Sequence, residues 1–87
     1  MKVSREVVEV SGEGLESFLG KKIIVYCMNY IYTGELEGVN STCIKLRNPF
    51  IVYETGAHSA NSYKDSQSIS SPHYIQTSAI ESFGLGK

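Results

Sequence analysis

Few residues of this chain have the type and spacing that chemistry demands. Glu35 and Glu37 alternate along one strand-like run, and Lys45 and Arg47 alternate along the next. If the intervening turn centres on Ser41, Glu37 faces Lys45 and Glu35 faces Arg47. Such cross-strand ion pairs each stabilise a sheet by ~0.2–1 kcal/mol. That role accounts for the four charges better than a nucleic-acid patch or a pair of catalytic carboxylates. Cys27 and Cys43 form no Cys-x-x-Cys unit and sit at apolar strand positions, as reduced core thiols do. His58 and His73 have no acidic or cysteine partner at ligand spacing, so no metal site and no cofactor are expected. No glycine-rich phosphate loop and no nucleophile-with-base constellation occurs, and the reading is a non-enzyme. Tyr63 and Lys64 suit either contact with a nucleic acid or the tip of an exposed hairpin.

The elements that position these residues centre on the stretch from Gly20 to Asn48. Lys22 to Met28 is almost continuously β-branched or aromatic, which predicts a strand. Tyr30 to Val39 predicts a second, with Tyr30, Tyr32 and Leu36 facing inward and Thr33, Glu35 and Glu37 outward. Gly34 and Gly38 within it mark bends. Asn40-Ser41-Thr42 is a turn, after which Cys43 to Arg47 alternates again. Both faces of the first strand are apolar, so its second face needs a cover, from the N-terminal segment or from another subunit. Before it, Glu13 to Leu19 predicts a short helix with Leu15, Phe18 and Leu19 on one face, ended by Gly20. Residues 1–12 read as an extra strand or an arm. Pro49 to Tyr53 either extends the third strand or begins another, with the proline at an edge or bulge. Residues 54–72, rich in Ser, Asn and Gly, read as a long loop.

The chain has 87 residues, enough for one domain with one modest core. Its hydrophobic content of 41% is that of a folded protein. A net charge of −1 excludes a polyanion binder that works by bulk charge, while leaving room for a local polar or basic pocket. No apolar run approaches the ~18 residues of a membrane-spanning helix, and the N-terminus lacks the apolar core of a signal peptide. The expectation is a cytoplasmic protein without a membrane partner.

LGKKIIVYCMN, the spacing Gly34-Glu-Leu-Glu-Gly38-Val39-Asn40 and the following IKLRN together resemble the first signature block of Sm-like proteins, including their bacterial host-factor branch. Tyr74-Ile-Gln-Thr-Ser-Ala-Ile-Glu-Ser-Phe83 resembles the shorter second block, and the two span roughly half the chain. The resemblance implies a mostly β fold: a small, strongly bent, five-stranded antiparallel SH3-like barrel with a short N-terminal helix. Leu36, Leu46 and Ile80 would then lie in the core. It also implies a homo-oligomeric ring of roughly five to seven subunits, closed by pairing Tyr74–Ser78 with Ala79–Phe83 of a neighbour. The variable connection between the blocks would be residues 54–72.

Carried onto this sequence, the resemblance makes two turns meet at the ring's pore, Asn40-Ser41-Thr42 and Gln76-Thr77-Ser78, where single-stranded RNA or DNA would bind. Asn40 stands where the family has aspartate. Thr42 replaces its stacking side chain, Ile44 its base-reading asparagine, and Gln76-Thr77-Ser78 its Arg-Gly-Asn or Tyr-Lys-His. Amides and hydroxyls remain, able to hydrogen-bond bases or phosphates but without a cation. The implied function is a ring-forming nucleic-acid-binding protein with a role in nucleic-acid processing. The alternative is a ring scaffold for proteins that has lost RNA recognition.

Overall fold

The computed structural model describes residues 14–87; the proposed N-terminal strand or arm, residues 1–12, lies outside them. Six strands form one antiparallel sheet: β1 (Lys22–Cys27), β2 (Ile31–Val39), β3 (Cys43–Glu54), β4 (Asp65–Ser68), β5 (His73–Gln76) and β6 (Ile80–Leu85). The hydrogen-bonded order is β4-β3-β2-β1-β6, and β5 pairs with the first half of β3. Among the described residues no helix is long and apolar enough to cross a membrane.

The mostly β, antiparallel character agrees with the sequence, but two details differ. The sheet has six strands, not five, and it does not close into a barrel, because β5 and β6 form no ladder with each other. The sixth strand, β4, falls inside the segment read as loop. Asp65-Ser-Gln-Ser carries no apolar alternation, because all four side chains are exposed at the sheet's edge. Its pairing rests on the backbone ladder to Phe50–Glu54 of β3 and on the Tyr53 hydroxyl, which donates to Gln67 Oε1 (3.1 Å).

β3 reaches both β4 and β5 because it is twelve residues long and bends midway. Asn48 adopts a left-handed conformation (φ 50°), and the buried Pro49 follows it at the register shift. The prolonged third strand and the bulge at its proline are therefore both present. Gly34 of β2 lies against the bend. A Cβ there would sit 3.1 Å from the Arg47 carbonyl oxygen, 3.2 Å from Leu46 Cβ and 3.3 Å from Pro49 Cα.

The core consists of Ile23, Val25, Leu36, Ile44, Leu46 and Ile75. Leu36 and Leu46 are completely buried, whereas Ile80 is only half-buried at the rim, where the sheet stays open. The expected short helix is a single 3₁₀ turn, Leu15–Phe18. Its three-residue period aligns Leu15 and Phe18 over the core and leaves Leu19 exposed. Phe18 meets Phe83 edge-on, with centroids 6.0 Å apart. Gly20, in the left-handed region, donates to the Leu36 carbonyl (2.8 Å) and ties this turn to β2.

Thr33, assigned outward from the sequence, is 1% exposed. Its hydroxyl donates to the Ile23 carbonyl across the ladder at 2.7 Å, which satisfies the buried group. It lies on the second face beside Ile24, its register partner, also buried. Gly86 covers this place: a Cβ on it would be 3.0 Å from Thr33 Oγ1. Part of the cover that β1 requires thus comes from the chain itself.

Of the two expected ion pairs, one forms. Arg47 Nε donates to Glu35 Oε2 at 3.1 Å, with a second bond from the guanidinium NH2 group to the same oxygen. Hydrogen bonding to Glu35, then its charge, raises the Arg47 pKa. Glu37 and Lys45 do not form an ion pair among the described residues: the register shifts between Leu36 and Gly38, placing Gly38 opposite Lys45.

Leu46→Ala is expected to lower stability by ~2–5 kcal/mol, as large-to-small core changes do. Arg47→Ala, at an exposed and screened pair, should shift the denaturation midpoint far less. Thr33→Val should cost ~1–3 kcal/mol, because the Ile23 carbonyl is left without its buried donor. Urea unfolding of the three variants checks the order.

Candidate nucleic-acid interface

The two turns singled out by the sequence lie side by side. Cys43 is the register partner of Gln76 at the end of the β3–β5 ladder, which sets the Asn40–Thr42 turn beside Thr77. The Thr77 amide donates to the Thr42 carbonyl (2.9 Å), and the Thr77 hydroxyl donates to the Ser41 carbonyl (3.1 Å). A 3₁₀ turn over Thr77–Ala79 then carries the chain into β6.

Asn40 organises the first turn. Its Oδ1 accepts from the Thr42 amide (2.8 Å), the Thr42 hydroxyl (2.9 Å) and the Cys43 amide (2.9 Å). Its own amide donates to the Cys43 carbonyl (3.0 Å). This is a side chain mimicking a backbone turn, the use for which Asn is favoured. The Asn40 oxygen is therefore committed to the turn, and the Thr42 hydroxyl proton is spent on it. Among the described residues the exposed side chains of Gln76 and Ser78 make no such bonds, and Thr77 is half-buried with its hydroxyl spent on Ser41. Ser41, Thr42, Gln76, Thr77 and Ser78 line a shallow depression together with Cys43 and Tyr74.

Sequence reasoning missed a second, more aromatic groove beside it. It has a volume of about 470 Å³ and opens where the sheet fails to close, between the β1–β2 turn and the β5–β6 stretch. Tyr30, Tyr32, His73 and Tyr74 line it, with Met28 at the lip. Tyr32 stacks on His73, with centroids 5.3 Å apart and rings 28° from parallel, and Tyr30 tilts towards Tyr32 at 6.1 Å. Tyr30 is 52%, Tyr74 56% and Met28 86% exposed. Tyr74, Gln76 and Ser78 line both depressions, so one surface runs from the turns into the groove. The available signal was the density of tyrosines on either side of Asn29 together with Tyr74. Only the ladder that sets His73 and Tyr74 opposite Leu46 and Lys45 shows that they converge.

Cys27 and Glu81 also line the groove. Burial, and then the nearby Glu81 carboxylate, push the Cys27 thiol up from its ordinary value. Burial likewise raises Tyr32, with smaller effects from Cys27 and Tyr30. A raised thiol pKa means less thiolate at neutral pH. Cys27 and Cys43 are both free and half-buried. Tyr63 and Lys64 lie away from this surface. Tyr63 accepts a bond from the Lys87 amide, and Lys64 pairs with Glu54 at 3.6 Å.

Asn40→Ala should lower stability by ~0.5–2 kcal/mol, since three donors lose one acceptor; thermal unfolding measures it. Iodoacetamide at pH 8 should alkylate Cys27 more slowly than a free cysteine, and mass spectrometry of the labelled peptide reads the rate. Comparison of the chain with protein-family models, with curated proteins and with solved structures gave no match.

Proposed function

We propose that this protein is an Sm-like subunit that closes head to tail into a ring and binds single-stranded nucleic acid on the surface joining the two turns to the aromatic groove. The observation that carries this reading is the pair of hydrogen bonds from Thr77 to Ser41 and Thr42. They join two turns far apart in sequence into one polar surface. The strand order supports the ring: β5 and β6 each have one side paired, to β3 and to β1, and one side unpaired within the described chain. Unpaired edges at opposite ends of a bent sheet can be satisfied by pairing β5 of one subunit with β6 of the next. The exposed Phe83 and Leu85 on β6 would be covered there.

On that surface each residue has a task. The amide of Gln76 and the hydroxyl of Ser78 offer hydrogen bonds to base edges or phosphate oxygens. Tyr30 and Tyr74 supply flat faces on which bases stack, at ~1–3 kcal/mol per base. This restores the stacking that Thr42 does not provide. Lys45, opposite Tyr74 in the ladder and so on the same face, is the nearby cation. Asn40 holds the turn rather than the ligand. No step of chemistry is assigned, and the reading is of a binding protein, not an enzyme. A ring scaffold for protein partners is the second reading, favoured by the commitment of Asn40 Oδ1 to its own turn.

Light scattering at micromolar concentration should give a mass several times that of the 9.6 kDa chain. Filter binding to poly(U), poly(A) and single-stranded DNA at two salt concentrations should show binding with a shallow salt slope, since few phosphates meet Lys or Arg. Tyr30→Ala with Gln76→Ala should weaken binding by about tenfold or more while leaving the mass unchanged. An assembled ring that binds none of the three polymers would leave the scaffold reading standing.

A further inference from the structure

One ammonium holds two stretches of chain together at the β3–β4 connection. Lys87 Nζ donates to the carbonyl oxygens of Thr55 (2.8 Å) and Ala57 (2.7 Å), and it lies 5.2 Å from the centre of the Tyr63 ring. The Lys87 backbone amide donates to the Tyr63 hydroxyl (3.0 Å). Four contacts thus run from one residue to both limbs of the β3–β4 connection.

Two glycines make the arrangement possible. Gly86 donates to the Lys22 carbonyl (2.9 Å) and rests on β1 so closely that a Cβ would fall 3.0 Å from both the carbonyl carbon and the oxygen of Ile23. A side chain there would have to displace its neighbours by a few tenths of an ångström, so glycine suits the passage that delivers Lys87 to the loop. Gly56, between the two accepting carbonyls, lies in the left-handed region at φ 75°, and a Cβ on it would press on Lys64 at 3.3 Å.

We infer that Lys87 is a latch: its charged Nζ fastens the Thr55–Tyr63 loop to the end of the β1–β6 ladder, and neutralising it releases the loop without unfolding the sheet. Bonds from a charged donor to two carbonyls are stronger than neutral ones, so the charge is the fastening element. β4 follows the loop directly and is an exposed four-residue strand paired to β3 alone. Release of the loop therefore frees β4 to fray, which bares the edge of β3 from Phe50 to Glu54. Any agent that removes the ammonium charge, acylation of Nζ included, would open this edge. The latch is independent of the proposed binding surface and shares none of its residues.

Hydrogen–deuterium exchange of the full chain tests it. Lys87→Met keeps the length and apolar stem of the side chain and removes the charge. Exchange should rise by about tenfold or more in peptides covering residues 55–68 while β1 and β2 keep their protection. Lys64→Met, which breaks the Glu54 pair in the same hairpin, should change it little. Unchanged exchange in Lys87→Met, a rise spread evenly over β1 and β2, or an equal rise in Lys64→Met would each overturn the latch.

Discussion

Where β2 crosses the bend of β3, Gly34 allows an approach that a side chain would meet only by displacing its neighbours, and the architecture rests on that contact. Leu46, Arg47 and Pro49 close around the position at 3.1–3.3 Å. A side chain there would make β2 or β3 give by a few tenths of an ångström at the bend. Asn48 takes the left-handed conformation, and Pro49, which has no amide proton to leave unpaired, is buried at the shift in register. The bend divides β3 into two halves that face different neighbours, β5 before it and β4 after it.

That division places the candidate surface. The first half of β3 carries Ile44 and Leu46 into the core and meets Ile75 and His73 of β5 there. The intervening residues, Cys43 and Lys45, therefore share the opposite face with Gln76 and Tyr74. The period of two thus brings the turn after β2 beside the turn after β5. The same ladder aims His73 at Tyr32. Because the sheet remains open between β5 and β6, the stacked pair is reached from a groove instead of being sealed inside.

The positions legible in the sequence were those where local pattern and fold agree. Leu36 and Leu46 were read as core, Glu35 and Arg47 as a cross-strand pair, and both turns fall where their residues predict. The misses have different physical causes. Counting by twos from Leu36 to Thr33 puts the threonine outside. Thr33 does lie on that second face, beside Ile24, but the face is covered there by Gly86, which no nearby pattern announces. Counting the hairpin straight through pairs Glu37 with Lys45, and the shift beside Gly38 separates them. β4 escaped notice because an exposed edge strand needs only backbone bonds, and Asp-Ser-Gln-Ser has no face to hide. The aromatic groove was invisible because its members come from β1, the β1–β2 turn, β2, β5 and β6, and only pairing unites them.

The turn held by Asn40 bears on how the proposed ring, repeating a weak site, would gain affinity. With one oxygen gripped by three donors and Thr77 pinned to the adjoining carbonyls, both turns are ordered before any ligand arrives. Association then loses little conformational entropy from the protein, and what must be immobilised is chiefly the ligand. In the proposed ring, once the first stretch of a flexible strand were held, each further stretch would meet the next copy of the surface at high local concentration. A turn that spends its best acceptor on itself gives up one direct contact and gains a surface that does not have to be ordered again at every repeat.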